Sequence, residues 1–265
     1  MDNNPFFIIL ITTLLFLYSS QTISSHEHNN EEAKFSYMKK SENGPEKWGN
    51  LNPKYTECST GKFQSPIDLD DSTVQITSTL GQLIRKYKPA PASIINRGHA
   101  LQIKWEDDAG KIVINGTEYK LQQAHWHTPS ENTVNGKSFD MEMHLVHKNA
   151  HDELAAVGIL YKIGAPDPFL EHLLSHIKTA DHEGKELGII NPKKIRYGSK
   201  KYYRFIGSLT TPPCSQGVLW TVISKAKTVS KEQLDAIKDA VDEGFQENAR
   251  PVQPLNGREV YQNQP

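Results

Sequence analysis

The fold of this chain is limited above all by short runs of β-branched and aromatic residues that recur along most of its length. Gly, Asn, Asp or Pro residues, which favour turns, separate the runs. The runs cover 94–95, 100–105, 111–114, 119–126, 141–147, 155–163, 202–206 and 218–223. Helical patterns are few: one covers 168–177, and the clearest covers 231–243, with a Ser230–Gln233 capping box and Gly244 as the stop. The pattern predicts one mainly β domain with a mostly antiparallel sheet.

The first 24 residues are predicted to be a signal peptide. Residues 6–18 form an apolar run that is too short to span a bilayer, and Thr22 and Ser24 are small residues where a signal peptidase cleaves. Asp2 stands where a basic residue is usual, so an uncleaved anchor or a buried strand is the alternative. A flexible leader over 25–36, a domain over 37–258 and a C-terminal tail over 259–265 are expected to follow, with no membrane association after cleavage.

Charge and cysteine content narrow the range of partners and compartments that fit this chain. The chain has 30 basic and 31 acidic residues and shows no basic stripe, so we expect no nucleic-acid partner. Its two cysteines, Cys58 and Cys214, form one disulfide in an oxidising compartment or remain two free thiols in the cytosol. Asn115 begins an Asn-Gly-Thr sequon and is a candidate glycan acceptor.

Three histidines form the main candidate site. His125 and His127 lie two residues apart in a strand-like run, which places both rings on one face and Trp126 on the other. His144 lies in the next run. If the two strands are neighbours, three imidazoles converge and leave a fourth tetrahedral position open, as in catalytic zinc sites. The alternative is that these are ordinary surface or packed histidines.

Two further residues are expected to support these histidines. Gln123 shares the face of His125 and His127, and Glu142 shares the face of His144, so each can accept an imidazole N–H and fix its tautomer. His172 and His176 are four apart on a predicted helix, but the Glu of a zinc-protease motif is missing and they are interpreted as helix-surface residues.

Eight segments resemble the alpha class of carbonic anhydrases, most closely its plant members. They follow the family order along nearly all of the chain after the leader, and are NGPEKW (43–48), QSPID (64–68), NRGHA (96–100), QAHWHTP (123–129), SE (130–131), MEMHLVH (141–147), GSLTTPP (207–213) and RPVQPL (250–255). The resemblance implies a large twisted, mostly antiparallel sheet, a zinc cofactor and the reversible hydration of carbon dioxide to bicarbonate. Sulfonamides and anions are the expected inhibitors.

The resemblance also assigns roles to individual residues. Thr210 is expected to orient the attacking oxygen and to donate its own proton to Glu131, while His99 matches the proton shuttle. Cys58 and Cys214 match the disulfide of secreted members. The matched zinc ligands are His125, His127 and His144, and the substrate-binding positions are Val146, Leu209, Thr210, Thr211 and Trp220.

Two departures concern the hydrogen bonds around this site. Phe205 stands where a tyrosine is usual, so one hydroxyl is missing, and Asn132 stands where a histidine is common, which predicts the loss of a supporting partner near the ligand strands. The main alternative is therefore a catalytically weak or inactive storage or binding protein. A secreted zinc hydrolase of another type is disfavoured by the absence of a nucleophile motif.

The expected location follows from the signal peptide and the resemblance. The apoplast is the default destination, and the plastid stroma, reached through the secretory route, is the alternative.

Overall fold

The computed structural model describes residues 34–264. The predicted signal peptide (1–24) and most of the predicted leader (25–36) lie outside the described residues. Among residues 34–264, no helix has the length and apolar character needed to cross a bilayer.

Strands dominate the described chain. In chain order they are β1 (Asp68–Leu69), β2 (Gln75–Thr77), β3 (Ile84–Tyr87), β4 (Ala90–Asn96), β5 (Leu101–Trp105), β6 (Gly110–Ile114), β7 (Thr117–His127), β8 (Thr133–Val134), β9 (Met141–Lys148), β10 (Leu154–Ile163), β11 (Lys185–Ile190), β12 (Tyr202–Ser208), β13 (Gln216–Val229) and β14 (Tyr261–Asn263). The α-helices are α1 (Trp48–Leu51), α2 (Glu57–Thr60), α3 (Pro168–Ile177) and α4 (Lys231–Asp239).

Twelve of these strands form one large sheet. Its main path runs β11-β4-β5-β7-β9-β10-β13-β12-β14-β2, with β6 beside β7 and β3 beside β6. Most neighbours are antiparallel, but β13 runs parallel to β10 and β2 runs parallel to β14. The mainly β fold around a large sheet is thus confirmed, and the sheet is mixed.

The sheet separates two hydrophobic clusters. The larger one includes Trp126, Met143 and Tyr161 with residues of α3 and α4, and the smaller one includes Ala156, Phe205 and Trp220. Alternation along β7 and β9 sends apolar side chains into the larger cluster and the candidate site residues to the opposite face.

Helix α4 is shorter than the sequence predicts. The Ser230–Gln233 capping box is present, but the helix ends at Asp239 and not at residue 243. Three residues beyond that end, the N–H of Asp242 donates to Gly98 O at 2.9 Å, so this stretch of backbone pairs with the turn that carries His99. A contact between distant parts of the chain has replaced the last predicted turn.

The folded part of the chain extends beyond the predicted domain, 37–258, at both ends. Phe35, assigned to the leader, packs its ring 5.1 Å from Trp48 and 5.2 Å from His99. Residues 261–263, assigned to the tail, form β14 between β12 and β2. The folded domain therefore includes residues on both sides of 37–258.

Candidate metal centre

The three candidate ligands meet on two adjacent strands. His125 and His127 lie on β7, and His144 on β9 is the direct antiparallel partner of His125. One nitrogen from each ring can be chosen so that all three lie within 4.8 Å of one another. Neighbouring strands and a two-residue spacing thus bring the rings together.

Each ring has an acceptor near its outer nitrogen. Gln123 Oε1 lies 2.8 Å from His125 Nδ1, the carbonyl of Asn248 lies 2.8 Å from His127 Nδ1, and Glu142 Oε1 lies 3.1 Å from His144 Nε2. The first two contacts are hydrogen bonds that favour a proton on Nδ1 of His125 and His127, and the nearby Glu142 carboxylate favours a proton on His144 Nε2 by its charge, although no hydrogen bond forms there. The other nitrogen of each ring then keeps a free lone pair. The inner donors are Nε2 of His125, Nε2 of His127 and Nδ1 of His144.

The local environment keeps these rings neutral. Burial lowers the pKa of His127, and it lowers the pKa values of His125 and His144 well below the usual range, with neighbouring histidines adding to the effect. His127 Nε2 is buried and has no hydrogen-bond partner within the described part of the chain. Three neutral nitrogens with one orphaned lone pair fit a divalent metal, and a three-imidazole set suits zinc with an open fourth position.

Glu131 and Thr210, which we call the gate pair, lie next to each other beside the centre. Glu131 is fully buried, its Oε1 accepts the backbone N–H of Arg250 at 2.9 Å, and its carboxylate also accepts the Thr210 hydroxyl. Its Oε2 lies 3.5 Å from His127 Nε2. Burial raises the pKa of Glu131 well above its usual value, while these two donors oppose the rise.

Asn132 corrects one expectation from the sequence. Its side-chain Nδ2 donates to Glu142 Oε1 at 2.8 Å and its backbone N–H donates to Glu142 Oε2 at 2.8 Å, while the N–H of Glu131 donates to the same Oε2 at 3.0 Å. The supporting partner predicted to be lost is therefore supplied by Asn132 itself. The prediction was wrong because an amide can donate to this carboxylate without a histidine.

Phe205 occupies an apolar and not a polar environment. Its ring is 2% exposed and stacks on Trp220 at 6.1 Å, and the Arg258 guanidinium lies 5.7 Å from the ring centre. The hydroxyl of the usual tyrosine is absent, as the sequence indicates, and the Phe205 ring is held by packing against Trp220.

The remaining candidate residues line one cavity of about 230 Å³ that reaches the histidine triad. One part of its wall is polar and includes Arg97, His99, Gln102 and Gln123. Another part is apolar and includes Val146, Leu154, Ala156, Leu209, Val218 and Trp220. Thr210 and Thr211 also line it, so the cavity brings together the predicted shuttle, gate and substrate-binding positions.

Three other histidines, His147, His172 and His176, lie apart from this centre. His147 projects from the opposite face of β9, where Tyr87 lies 2.6 Å from its Nε2. His172 is exposed and His176 is half-buried on α3. His147 thus faces away from His144, and His172 and His176 lie on a helix as the sequence predicts.

Asn248 is the main functional residue that the sequence analysis missed. Besides accepting from His127, it donates through Nδ2 to His99 O at 2.8 Å and to Trp126 O at 3.1 Å, and its Oδ1 accepts from Thr128 N at 2.8 Å. One buried side chain therefore connects the ligand strand to the predicted shuttle. No local pattern around position 248 signals this, because every partner is more than a hundred residues away.

Two covalent features predicted from the sequence are placed as follows. Cys58 and Cys214 form a disulfide, which confirms the prediction. Asn115 is exposed in the turn between β6 and β7, where Asn115 and Gly116 both have positive φ, as a tight type I′ hairpin requires. The sequon thus lies on an accessible turn.

Comparison with known proteins decides the family. A sequence model described as eukaryotic-type carbonic anhydrase matches residues 43–264. The chain belongs to this family. It is 46% identical to alpha carbonic anhydrase 4 of Arabidopsis thaliana over 263 residues, which cover 98% of both chains. It is also 46% identical to alpha carbonic anhydrase 7 of the same plant, over 98% of this chain and 96% of the relative.

Solved structures of carbonic anhydrase relatives share the fold. Dioscorin complexed with ascorbate superposes with a TM-score of 0.83 and 41% identity, over 86% of this chain and 97% of dioscorin. The alpha carbonic anhydrase of Thermovibrio ammonificans, complexed with sulfanilamide, gives a TM-score of 0.79 and 35% identity, over 86% and 99% of the two chains.

Proposed function

We propose that this chain hydrates carbon dioxide reversibly to bicarbonate and a proton, with zinc held by His125, His127 and His144. One observation carries the proposal: three neutral imidazoles, two buried and one half-buried, bring one nitrogen each within 4.8 Å of the others at a cavity that is apolar on one side. Zinc bound there supplies a water whose pKa falls to about 7, a value for which this enzyme family is itself the standard example.

The chain's own residues then orient the reactants. The Thr210 hydroxyl donates a hydrogen bond to Glu131, so the lone pairs of its oxygen remain available to the cavity. They can accept a hydrogen bond from a water or hydroxide there. The apolar wall formed by Val146, Leu209 and Trp220 suits a small neutral molecule such as carbon dioxide. Each acts by positioning, since neither Thr210 nor the wall forms a bond with the substrate.

His99 is proposed to carry the proton away. It lines the same cavity as the triad, and an imidazole can accept a proton and release it to buffer at neutral pH. We expect His99→Ala to slow turnover in dilute buffer, with recovery on adding imidazole and unchanged zinc content. Equal rates for parent and variant at every buffer concentration would remove this role.

The proposal as a whole is tested by metal analysis and a carbon dioxide hydration assay. We expect about one zinc per chain and activity that a sulfonamide abolishes. His144→Ala should lose both metal and activity, since two imidazoles form a poor zinc site. The matched control is His172→Ala, an exposed histidine on α3, which should keep both. Full zinc in His144→Ala would show that the ligand assignment is wrong.

A storage or binding role with little or no turnover is the second candidate. It is favoured by the similarity to dioscorin, whose structure contains ascorbate. The hydration assay and ascorbate calorimetry on the same zinc-loaded sample separate the two. Ascorbate binding without turnover would support the second role, and rapid, sulfonamide-sensitive turnover would support the first.

We further propose that the chain enters the secretory pathway and reaches the apoplast or, by the same route, the plastid stroma. The apolar run at 6–18, the disulfide and the exposed sequon at Asn115 support this. Amino-terminal sequencing should show that the mature protein begins directly after Ser24, and glycosidase treatment should reduce its mass. An intact amino terminus with no glycan would contradict both expectations.

A further inference from the structure

Arg97 brings to the cavity a positive charge that has no role in the steps proposed above. It is exposed and lies in the turn between β4 and β5, two residues before His99. Among the residues lining the cavity, all within 34–264, it is the one Asp, Glu, Lys or Arg side chain. Carbon dioxide and water carry no charge, and bicarbonate is the only anion among the reactants.

The backbone that carries Arg97 is held by several hydrogen bonds. Arg97 N donates to Ala100 O at 2.9 Å, and Gly98 N donates to Asn96 Oδ1 at 2.7 Å. Asn96 Nδ2 in turn donates to Asp242 Oδ1 at 3.0 Å. The turn is therefore fixed against the segment after α4, and Arg97 projects from a defined position.

The guanidinium itself has no acidic partner. Asp242, the carboxylate bonded to this turn, is engaged by Asn96 and lies 2.9 Å from His182 Nε2. Within residues 34–264, no carboxylate oxygen lies within 4.0 Å of an Arg97 nitrogen. A guanidinium presents several N–H donors in a planar fork that matches a carboxylate.

We propose that Arg97 forms an anion subsite of this cavity, which selects ligands that carry a carboxylate at the end remote from the metal centre. The inference rests on the proposed zinc site, because the other end of such a ligand is anchored there. The polar wall around Arg97 and His99 would hold the carboxylate, and the apolar wall would face the body of the ligand.

Catalytic rates alone cannot test this subsite. The kcat/KM values for hydration and dehydration are linked by the equilibrium constant of the reaction, so Arg97 cannot favour bicarbonate over carbon dioxide in one direction only. Its signature must therefore be sought in the binding of anions, compared with neutral molecules of the same shape.

The experiment uses two sulfonamides that differ only at the para position. 4-Sulfamoylbenzoate carries a carboxylate there and 4-sulfamoylbenzamide carries a neutral amide. Calorimetry on zinc-loaded protein should give a benzoate-to-benzamide affinity ratio that Arg97→Gln lowers about two- to fivefold, as expected for an exposed ion pair. Arg97→Lys should keep part of the preference, and Arg97→Glu should reverse it.

The matched control is Arg196→Gln, which removes one exposed positive charge outside the cavity and should leave the ratio unchanged. The Arg97 effect should also shrink between 0.01 and 0.15 M salt, since the Debye length falls from about 30 to about 8 Å. If Arg196→Gln lowered the benzoate-to-benzamide affinity ratio as much as Arg97→Gln, the effect would come from the net charge of the protein, and the proposed subsite would be wrong.

Failure of the subsite can be separated from failure of the zinc site. If both sulfonamides bind the parent and Arg97→Gln leaves their ratio unchanged, the subsite is wrong and the zinc site stands. If neither binds, the proposed function fails, and metal-free protein still tests Arg97. There, titration with benzoate should shift the Arg97 Nε–H resonance in the NMR spectrum, and an unmoved resonance would overturn the inference.

Discussion

His144 and His147 lie three residues apart on β9, and the pleat of the strand sends their rings to opposite faces of the sheet. Both are buried, but their partners differ. His144 joins two other imidazoles at the cavity. His147 donates through Nδ1 to Ala155 O at 3.2 Å and accepts at Nε2 from the Tyr87 hydroxyl. The chemistry open to each histidine therefore depends on its face of the strand.

His147 should make the protein sensitive to acid. Burial lowers its pKa from 6.5 to about 4, so the folded chain keeps the ring neutral where the unfolded chain protonates it. Because the unfolded state binds the extra proton, the stability from this group is fully present above pH 6.5 and is lost as pH falls toward 4. The loss is about 3 kcal/mol.

Urea unfolding of zinc-saturated protein across this pH window tests the expectation. His147→Gln removes the titrating group, so the slope of its unfolding free energy against pH should be smaller than that of the parent by up to one proton. His172→Gln, which changes an exposed histidine, should keep the parent slope. If the unfolding free energies of parent and His147→Gln changed with pH at the same slope, the prediction would be wrong.

At the scale of the strand, Gly158 protects the position of Glu142. It pairs with His144 across β9 and β10, and a Cβ placed on it would lie 2.6 Å from Glu142 Oε1. Gly158→Ala should therefore displace the carboxylate next to His144 Nε2. We expect zinc affinity to fall about tenfold, the lower end for a lost supporting partner, as measured by competition with a chelator.

Gly164, which directly follows the end of β10, provides the control for this prediction. A Cβ on Gly164 would also be crowded, 2.8 Å from Thr228 Cγ2, but it would contact no residue of the metal centre. Gly164→Ala should destabilise the fold and leave zinc affinity unchanged. Comparable losses of affinity in the two variants would mean that the effect comes from lower stability and not from Glu142.

Periodicity predicted the elements far better than their ends. The runs around His125 and His144 appear as β7 and β9, and 168–177 matches α3, because alternation and capping are local signals. The run predicted to end at residue 223 continues to Val229, since β13 also pairs with β10. Strand length depends on the neighbour, and the sequence does not state which strand that is.

At the scale of the molecule, the centre depends on contacts between segments far apart in the chain. The sequence identified the triad, Gln123 and Glu142, because strand spacing fixes the face of each. It did not identify Asn248, which connects β7 to the turn of His99, or Gly158, because their importance comes from a neighbour in space. Family resemblance located the Glu131–Thr210 pair, which no spacing rule would have joined.

The disulfide is the covalent one among these connections and should matter for both stability and turnover. It joins residues 156 positions apart, for which the chain-entropy model gives at most about 5 kcal/mol. Its loss through Cys58→Ser with Cys214→Ser should therefore lower the free energy of unfolding by about 2–5 kcal/mol. Cys214 N donates to Thr211 O at 2.8 Å, beside the gate threonine. Arg250 links Cys58 O to Glu131 by bonds of 3.0 and 2.9 Å.

Both ends of the bridge thus reach the gate pair, while the three metal ligands lie on paired strands of the sheet. We therefore expect the double serine variant to keep about one zinc per chain but to lose turnover. Both are measured at a urea concentration well below the midpoint of its unfolding. Urea unfolding, metal analysis and the hydration assay on one preparation distinguish the two effects. A variant that loses zinc in proportion to activity would contradict this separation, because the bridge would then support the ligands and not the gate.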